Sequence, residues 1–125
     1  MMSNRKARSA CAIFMLLVGV SLGHAQSNSP LRLERTISLP GVKGRIVYLA
    51  FDAASQRLFV ATLGNNTVEV IDVKSGTKVR TISGLAEPQG VIYEPEKKRL
   101  WIANRSDGTL RIFDAPKYQP LGRSS

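Results

Sequence analysis

The chain has one cysteine, one histidine and one tryptophan in 125 residues, and aromatics make up only 6%. It also has half as many acidic as basic residues, nine against eighteen. Each scarcity excludes something. A lone cysteine, Cys11, cannot form a disulfide framework within the chain. With Cys11 and His24 as the only soft ligands, no structural Cys/His zinc site can be assembled. Both residues fall in the first twenty-five. Those residues have the order of a secretory signal: basic Arg5, Lys6 and Arg8, an apolar run from Ala10 to Leu22, then small residues in Gly23-His24-Ala25. The run is shorter than the ~20 apolar residues a spanning helix needs, so cleavage near Ala25 is expected rather than anchoring. The mature chain, beginning at Gln26 in the periplasm or outside the cell, then has neither cysteine nor histidine. That removes a Ser-His-Asp triad, a Cys-His dyad and any histidine base from this chain.

The formal charge of +9 stays positive after the signal is removed. The basic residues are scattered, and the one tight run, Lys97-Lys98-Arg99, sits at a predicted turn. Scattered base on an exported chain reads as a solvated surface, so no nucleic-acid partner is expected.

What the sequence does have is a repeat. Arg57-Leu58-Phe59-Val60-Ala61-Thr62 returns as Arg99-Leu100-Trp101-Ile102-Ala103-Asn104. Thr67-Val68-Glu69-Val70-Ile71-Asp72 returns as Thr109-Leu110-Arg111-Ile112-Phe113-Asp114 at the same offset of 42. Arg35-Thr36-Ile37-Ser38 reappears unchanged as Arg80-Thr81-Ile82-Ser83. A period of roughly 40–45 residues with several short strands per unit marks a β-propeller blade. In the first unit Ile46–Phe51, Leu58–Ala61, Thr67–Ile71 and Lys78–Ile82 are predicted strands, with turns at Asp52–Gln56, Gly64-Asn65-Asn66 and Asp72–Gly76. Leu58–Ala61 is apolar on both faces, as a strand sandwiched between neighbouring sheets must be. The second unit repeats the pattern, with strands at 90–93, 100–103 and 110–113 and a fourth strand expected from near Tyr118 but cut short by Ser125.

The fold class expected is therefore all-β, a propeller fragment of about two four-stranded antiparallel blades. Residues 1–25 are the signal, 26–45 a linker with Leu31–Ile37 as the outer strand of a preceding blade, 46–85 the first blade and 86–125 an incomplete second. The predicted core is Leu49, Phe51, Leu58, Val60, Val68, Val70, Ile92, Leu100, Ile102, Leu110 and Ile112.

These motifs resemble the YVTN-type β-propeller repeat family. The family's Leu/Tyr-Val-Ala/Thr-Asn strand is matched by Leu58–Thr62 and Leu100–Asn104, and its Thr-Val-x-Val-Ile-Asp strand by Thr67–Asp72 and Thr109–Asp114. Pro88-Gln89-Gly90 matches its Pro-x-Gly lead into the inner strand. Thr62 departs from the usual Asn, Lys43-Gly44-Arg45 lacks the proline, and Ala115-Pro116-Lys117 lacks the glycine of the third turn. The resemblance implies the fold and leaves the function open, because sites are grafted onto propellers in several ways.

The repeated polar residues have local explanations. Asp72 and Asp114 recur after the third strand, where an Asx turn uses a carboxylate to hold backbone N–H groups. Asn65, Asn66 and Asn104 carry the same turn chemistry. Asp52 and Glu94, one period apart, could share a cation between blades, although both stand beside turns and Ca²⁺ takes about 6–8 oxygens. Phe59 and Trp101 occupy equivalent apolar positions and are assigned to packing rather than to cofactor stacking. Gly64-Asn65-Asn66 precedes no helix, so it is no phosphate loop. No catalytic, cofactor-binding or metal-binding residue is assigned, and no cofactor is expected. The expected role is a non-enzymatic binding or scaffold module for a protein or small-molecule ligand, part of a longer propeller. The competing reading is the N-terminal part of a propeller enzyme, lactonase-like or redox, with its site in other blades. A blade left without neighbours exposes apolar faces, so self-association is a further expectation.

Overall fold

A β-strand with apolar residues on both sides needs a layer on each side, and the chain supplies part of that demand by stacking one sheet on another. The computed structural model describes residues 31–125. The expected signal lies outside them. Eight strands follow in order: β1 (Ile46–Asp52), β2 (Arg57–Thr62), β3 (Thr67–Asp72), β4 (Thr77–Ile82), β5 (Pro88–Glu94), β6 (Arg99–Asn104), β7 (Leu110–Asp114) and β8 (Pro120–Ser124). They form two antiparallel meanders, β1-β2-β3-β4 and β5-β6-β7-β8, each four strands wide. Among the described residues the only helical turn is a 3-10 turn at Leu63–Asn65, and no helix is long and apolar enough to cross a membrane. Leu33–Ser125 is one compact unit and holds both sheets.

The repeat seen in the sequence is a repeat of register. Phe59 pairs with Ala50 and Val70, and Trp101 pairs with Ile92 and Ile112. Val60 pairs with Leu49 and Glu69, and Ile102 with Val91 and Arg111. Left-handed backbone recurs with the same offset: Gln56 (φ 55°) and Lys98 (φ 50°), Asn66 (57°) and Gly108 (65°), Gly76 (72°) and Tyr118 (57°). Tyr118 is the unexpected one, since a bulky side chain is strained where the first unit has glycine. Its ring lies 6.0 Å from Phe59, edge to face, and the packing holds it there.

Cross-strand pairing assigns each sheet two faces. The front face of the first sheet carries Ala50, Phe59, Ala61, Val68, Val70 and Ile82. The back face of the second carries Val91, Tyr93, Leu100, Ile102 and Phe113. These two faces meet. Phe59, Ala61, Val68, Val70, Ile82, Val91, Leu100, Ile102 and Phe113, with Leu85 from the connection, make one buried cluster, with Ala50 and Tyr93 packed on it. Phe59 is fully buried there, with its ring 5.7 Å from that of Tyr93.

Three departures from the sequence-based expectation follow from this stacking. Leu49, Phe51 and Ile92 are not core: they are 57%, 48% and 66% exposed. Leu49 and Phe51 lie on the back of the first sheet and Ile92 on the front of the second, the faces that no other sheet covers among the described residues. Leu58, Leu110 and Ile112 are half-buried for the same reason, while Val60, Val68, Val70, Leu100 and Ile102 are buried as expected. The fourth strand expected to be cut short is present: β8 pairs with β7 from Leu110–Ser124 to Phe113–Pro120.

The expected outer strand at Leu31–Ile37 does not form a strand: among the described residues it pairs with no strand of either sheet. It nevertheless stands at the outer-strand position. The Arg35 guanidinium donates to the carbonyls of Val73 (3.1 Å) and Lys74 (2.9 Å) in the β3–β4 turn. Its repeat equivalent, Arg80, borders a groove with Pro116, the equivalent of Lys74. Farther along, Gly41 and Lys43 bond to Asn65 at the opposite end of the sheet. Residues 35–43 are thus tied to both ends of the first sheet.

Candidate functional site

The carboxylates are the natural starting point, because each could in principle serve chemistry. Asp52 ends β1, where the turn folds its own backbone over the side chain. Its carboxylate accepts from the N–H groups of Ala54 (3.1 Å) and Ser55 (3.4 Å) and from the Ser55 hydroxyl, with the Tyr93 phenol facing it across the sheet interface. Burial alone would raise its pKa, but the bonds from Ser55 and the backbone, with the Tyr93 phenol beside them, overcome that and hold it below the ordinary value. Burial and the nearby Asp52 charge push the Tyr93 phenol up.

Glu94, one period on, has different partners. It accepts from Lys97 (2.7 Å) and from the Trp101 indole N–H (3.1 Å). The structure therefore does not bring Asp52 and Glu94 together on a shared cation: each is bound within its own surroundings. Among the described residues no group of three or more His, Cys, Asp or Glu side chains is placed to hold a metal.

Asp72 accepts from Ser75 N–H (2.9 Å) and pairs with Arg57 (2.7 Å), and both interactions lower its pKa, the backbone bond most. Asp114 accepts from Gln119 N–H at 2.6 Å. Both are turn-holding carboxylates. The asparagines do more than hold their own turns. Asn65 ties to Gly41 and Lys43, Asn66 accepts from Glu87 N–H (2.8 Å), and buried Asn104 accepts from Ala86 N–H (3.3 Å). Each fastens a β2–β3-type turn to a lead-in of an inner strand. Among the described residues no buried side-chain polar atom lacks a partner.

Besides the groove at Arg80 and Pro116, of about 540 Å³, a second concavity remains. At the end of the stack where the β1–β2, β5–β6 and β7–β8 turns converge, a cleft of about 420 Å³ opens between the sheets. Asp52, Arg57, Tyr93, Lys98 and Tyr118 supply its polar lining, with Pro95 and Pro116 among the apolar walls. Burial raises the pKa of the Tyr118 phenol, although the nearby Arg57 charge opposes the rise. Asp52 is 6% exposed and hydrogen-bonded by its own turn. Arg57 is paired with Asp72 at 2.7 Å, so the cleft's unpaired cation is Lys98. Sequence reasoning proposed none of Arg57, Tyr93, Lys98 and Tyr118 as site residues, Lys98 figuring only in a basic turn and Tyr118 only at a strand start. The signal was there in one place: Tyr118 stands at the position of Gly76, where nothing in the turn calls for an aromatic ring.

Two stacked four-stranded meanders with 42-residue equivalence define an all-β propeller fragment. No protein-family model matches the chain, and no curated protein matches it in sequence. Among solved structures it is similar to the Kuenenia stuttgartiensis hydrazine synthase, a propeller-containing protein, at a TM-score of 0.55 and 17% identity over 60% of this chain. The chain spans only 22% of that structure's length, and the likeness concerns the fold alone.

Proposed function

We propose that this chain is an exported, non-enzymatic binding or scaffold module built from YVTN-type propeller repeats and belonging to a propeller with more blades. The observation that carries the binding reading is the occupancy of the acidic groups. Asp52, Glu69, Asp72, Glu94, Asp107 and Asp114 each accept bonds from neighbouring turns or strands, so each has a structural use. A catalytic base or a metal cage needs such groups converging on a substrate-sized space. The cleft instead offers one unpaired cation, Lys98, and two phenols around a carboxylate held by its own turn, with Arg57 paired to Asp72; Lys98 is the group that would hold a small anionic ligand.

Two measurements test this. Titration of the purified chain with small carboxylate and phosphate anions, followed by NMR, should shift the signals of Tyr93, Lys98 and Tyr118, and Lys98→Ala with Arg57→Ala should remove the response. Turnover of a lactone by the same preparation, abolished by a chelator, would overturn the non-enzymatic reading. Export is checked separately: N-terminal sequencing of the secreted product should begin at Gln26.

A further inference from the structure

On the outer rim of the stack, one repeated position is filled in two ways. Arg35 and Arg80 head the same Arg-Thr-Ile-Ser sequence. Each stands beside the turn between the third and fourth strands of the sheet that follows it. Beside the first sheet the gap is closed. The Arg35 guanidinium donates to the carbonyls of Val73 and Lys74, and its side chain passes over Gly76. A Cβ placed on Gly76 would lie 3.2 Å from both Cδ and Nη1 of Arg35, so a side chain at that position crowds the course.

The equivalent of Gly76 is Tyr118. Its ring packs on Phe59, and its Cβ stands in the space that the Arg35 side chain crosses in the first unit. Arg80 does not repeat the contact. Among the described residues its guanidinium has neither a hydrogen-bond nor an ion-pair partner. Arg80 lies opposite Val70 in the β3–β4 pairing, so it stands on the front of the first sheet, the face turned toward the second. It borders the groove of about 540 Å³ between β4, which supplies Val79 and Arg80, and residues 116–119 of the β7–β8 turn. Lys117, in that turn, likewise has no bonding partner among the described residues. Arg57 also reaches the groove but is held by Asp72. No aspartate or glutamate lines it. Two unpaired cations therefore face a space with no counter-charge. Both walls belong to this chain, between its two sheets, so the groove does not depend on where further blades stand.

The cations and the shape together select a ligand class. A phosphate monoester carries about −1.5 to −2 charge at pH 7 and three acceptor oxygens. A guanidinium takes two such oxygens side by side, and an ammonium meets the remaining charge as a point. A carboxylate brings one charge and would leave one cation unmatched. The groove is also far larger than a bare phosphate. Val79, Pro116 and the half-buried Tyr118 ring give it apolar wall for an organic tail.

We propose that the rim groove between β4 and the β7–β8 turn binds a phosphate monoester, with the phosphate on Arg80 and Lys117 and the organic part along Val79, Pro116 and Tyr118. The site goes beyond the cleft at Lys98 and does not rest on it. The two share a wall at Arg57, Pro116 and Tyr118, and their unpaired cations differ.

The test is an NMR titration of the purified chain with phenyl phosphate, with inorganic phosphate and benzoate as comparisons, at an ionic strength fixed with chloride. Phenyl phosphate should saturably shift the Arg80 Nε–H signal and the Lys117 and Gln119 amides, with a dissociation constant several-fold lower than that of either comparison anion. Arg80→Gln should weaken binding by about tenfold or more. Arg80→Lys, which keeps the charge without the fork, should fall between. Lys117→Gln, in an exposed turn, should give an independent loss. Circular dichroism should show the strand signal retained in each variant. Lys98→Ala separates the two concavities, and the rim response should persist in it. Four results would overturn the proposal: shifts that never saturate; wild-type affinity in both Arg80→Gln and Lys117→Gln; benzoate bound as tightly as phenyl phosphate; or a response lost in Lys98→Ala and kept in Arg80→Gln, which would assign the anion to the cleft. Failure at the rim leaves the cleft reading standing, and a silent cleft leaves the rim site standing.

Discussion

The two sheets share one pattern and live in different surroundings. Phe59 and Trp101 hold the same register position, flanked by the same kinds of neighbour. Phe59 has no exposed surface, because the second sheet lies over it, while Trp101 is half-buried. The pattern on a strand states which faces are able to be buried. Whether a face is buried depends on what stands across from it. The same contrast holds on the backs: Leu100 is fully buried and its equivalent Leu58 is half-buried.

The largest consequence is for truncation at the paired ring positions. Phe59→Ala should cost about 3–5 kcal/mol, as removal of a fully buried aromatic does. Trp101→Ala should cost roughly a third of that or less, with loss of the bond to Glu94 included. Urea unfolding, at a dilution that keeps copies apart, measures both. Equal costs would break the comparison.

Tyr118 tests the balance between strain and packing. Tyr118→Gly relieves a left-handed conformation worth about 1–2 kcal/mol but removes a ring packed on Phe59 and worth about 2–3 kcal/mol. A net loss of about 1 kcal/mol is expected in the same unfolding assay. A gain would mean that the ring contributes little to the stack.

Glu69 separates the backs of the two sheets by charge, since its repeat equivalent is Arg111. Glu69 is 3% exposed and accepts from Thr67 (2.7 Å), Thr81 (2.6 Å) and Lys78 (3.2 Å). Burial would raise its pKa, but these three partners together lower it. A carboxylate whose folded pKa is depressed binds more protons when unfolded. It therefore stabilises the fold above the unfolded value, and the contribution is lost as pH falls through the folded one. Stability should begin to decline below about pH 4.3, and Glu69→Gln should lower stability at neutral pH and flatten that decline. An unchanged acid limb in the variant would assign the pH dependence to other carboxylates.

The smallest effect concerns the equivalent left-handed positions. Gln56→Gly and Lys98→Gly should each change stability by less than about 1 kcal/mol, and by similar amounts, because relief of strain offsets the added freedom of the unfolded chain. Thermal unfolding of the two variants compares them, and a clear difference would show that the two turns are not equivalent.

Much of the fold was legible because the repeat carries it. The offset of 42 located β2, β3, β6 and β7, the repeated Arg-Thr-Ile-Ser marked β4, apolar runs marked β1 and β5, and turn residues marked their ends. The core was harder to read, since Leu49, Phe51 and Ile92 are as apolar as Val60 and Ile102, and no local pattern says which side of a sheet will have a neighbour. The fourth strand β8 was expected only in part, from near Tyr118, because Pro120-Leu121-Gly122-Arg123-Ser124 has weak strand character and is exposed throughout; pairing with β7 forms it. The cleft was illegible for a different reason. Asp52, Tyr93 and Tyr118 are far apart in sequence, and only stacking of the sheets brings them together.

The account's central claim is that the front of the first sheet is seated on the back of the second. A double-mutant cycle between Phe59→Ala and Tyr93→Ala tests it most directly, because these rings belong to different sheets and lie 5.7 Å apart. The stacking predicts a coupling of about 0.5–1.5 kcal/mol between them in equilibrium unfolding. Strictly additive losses would contradict it.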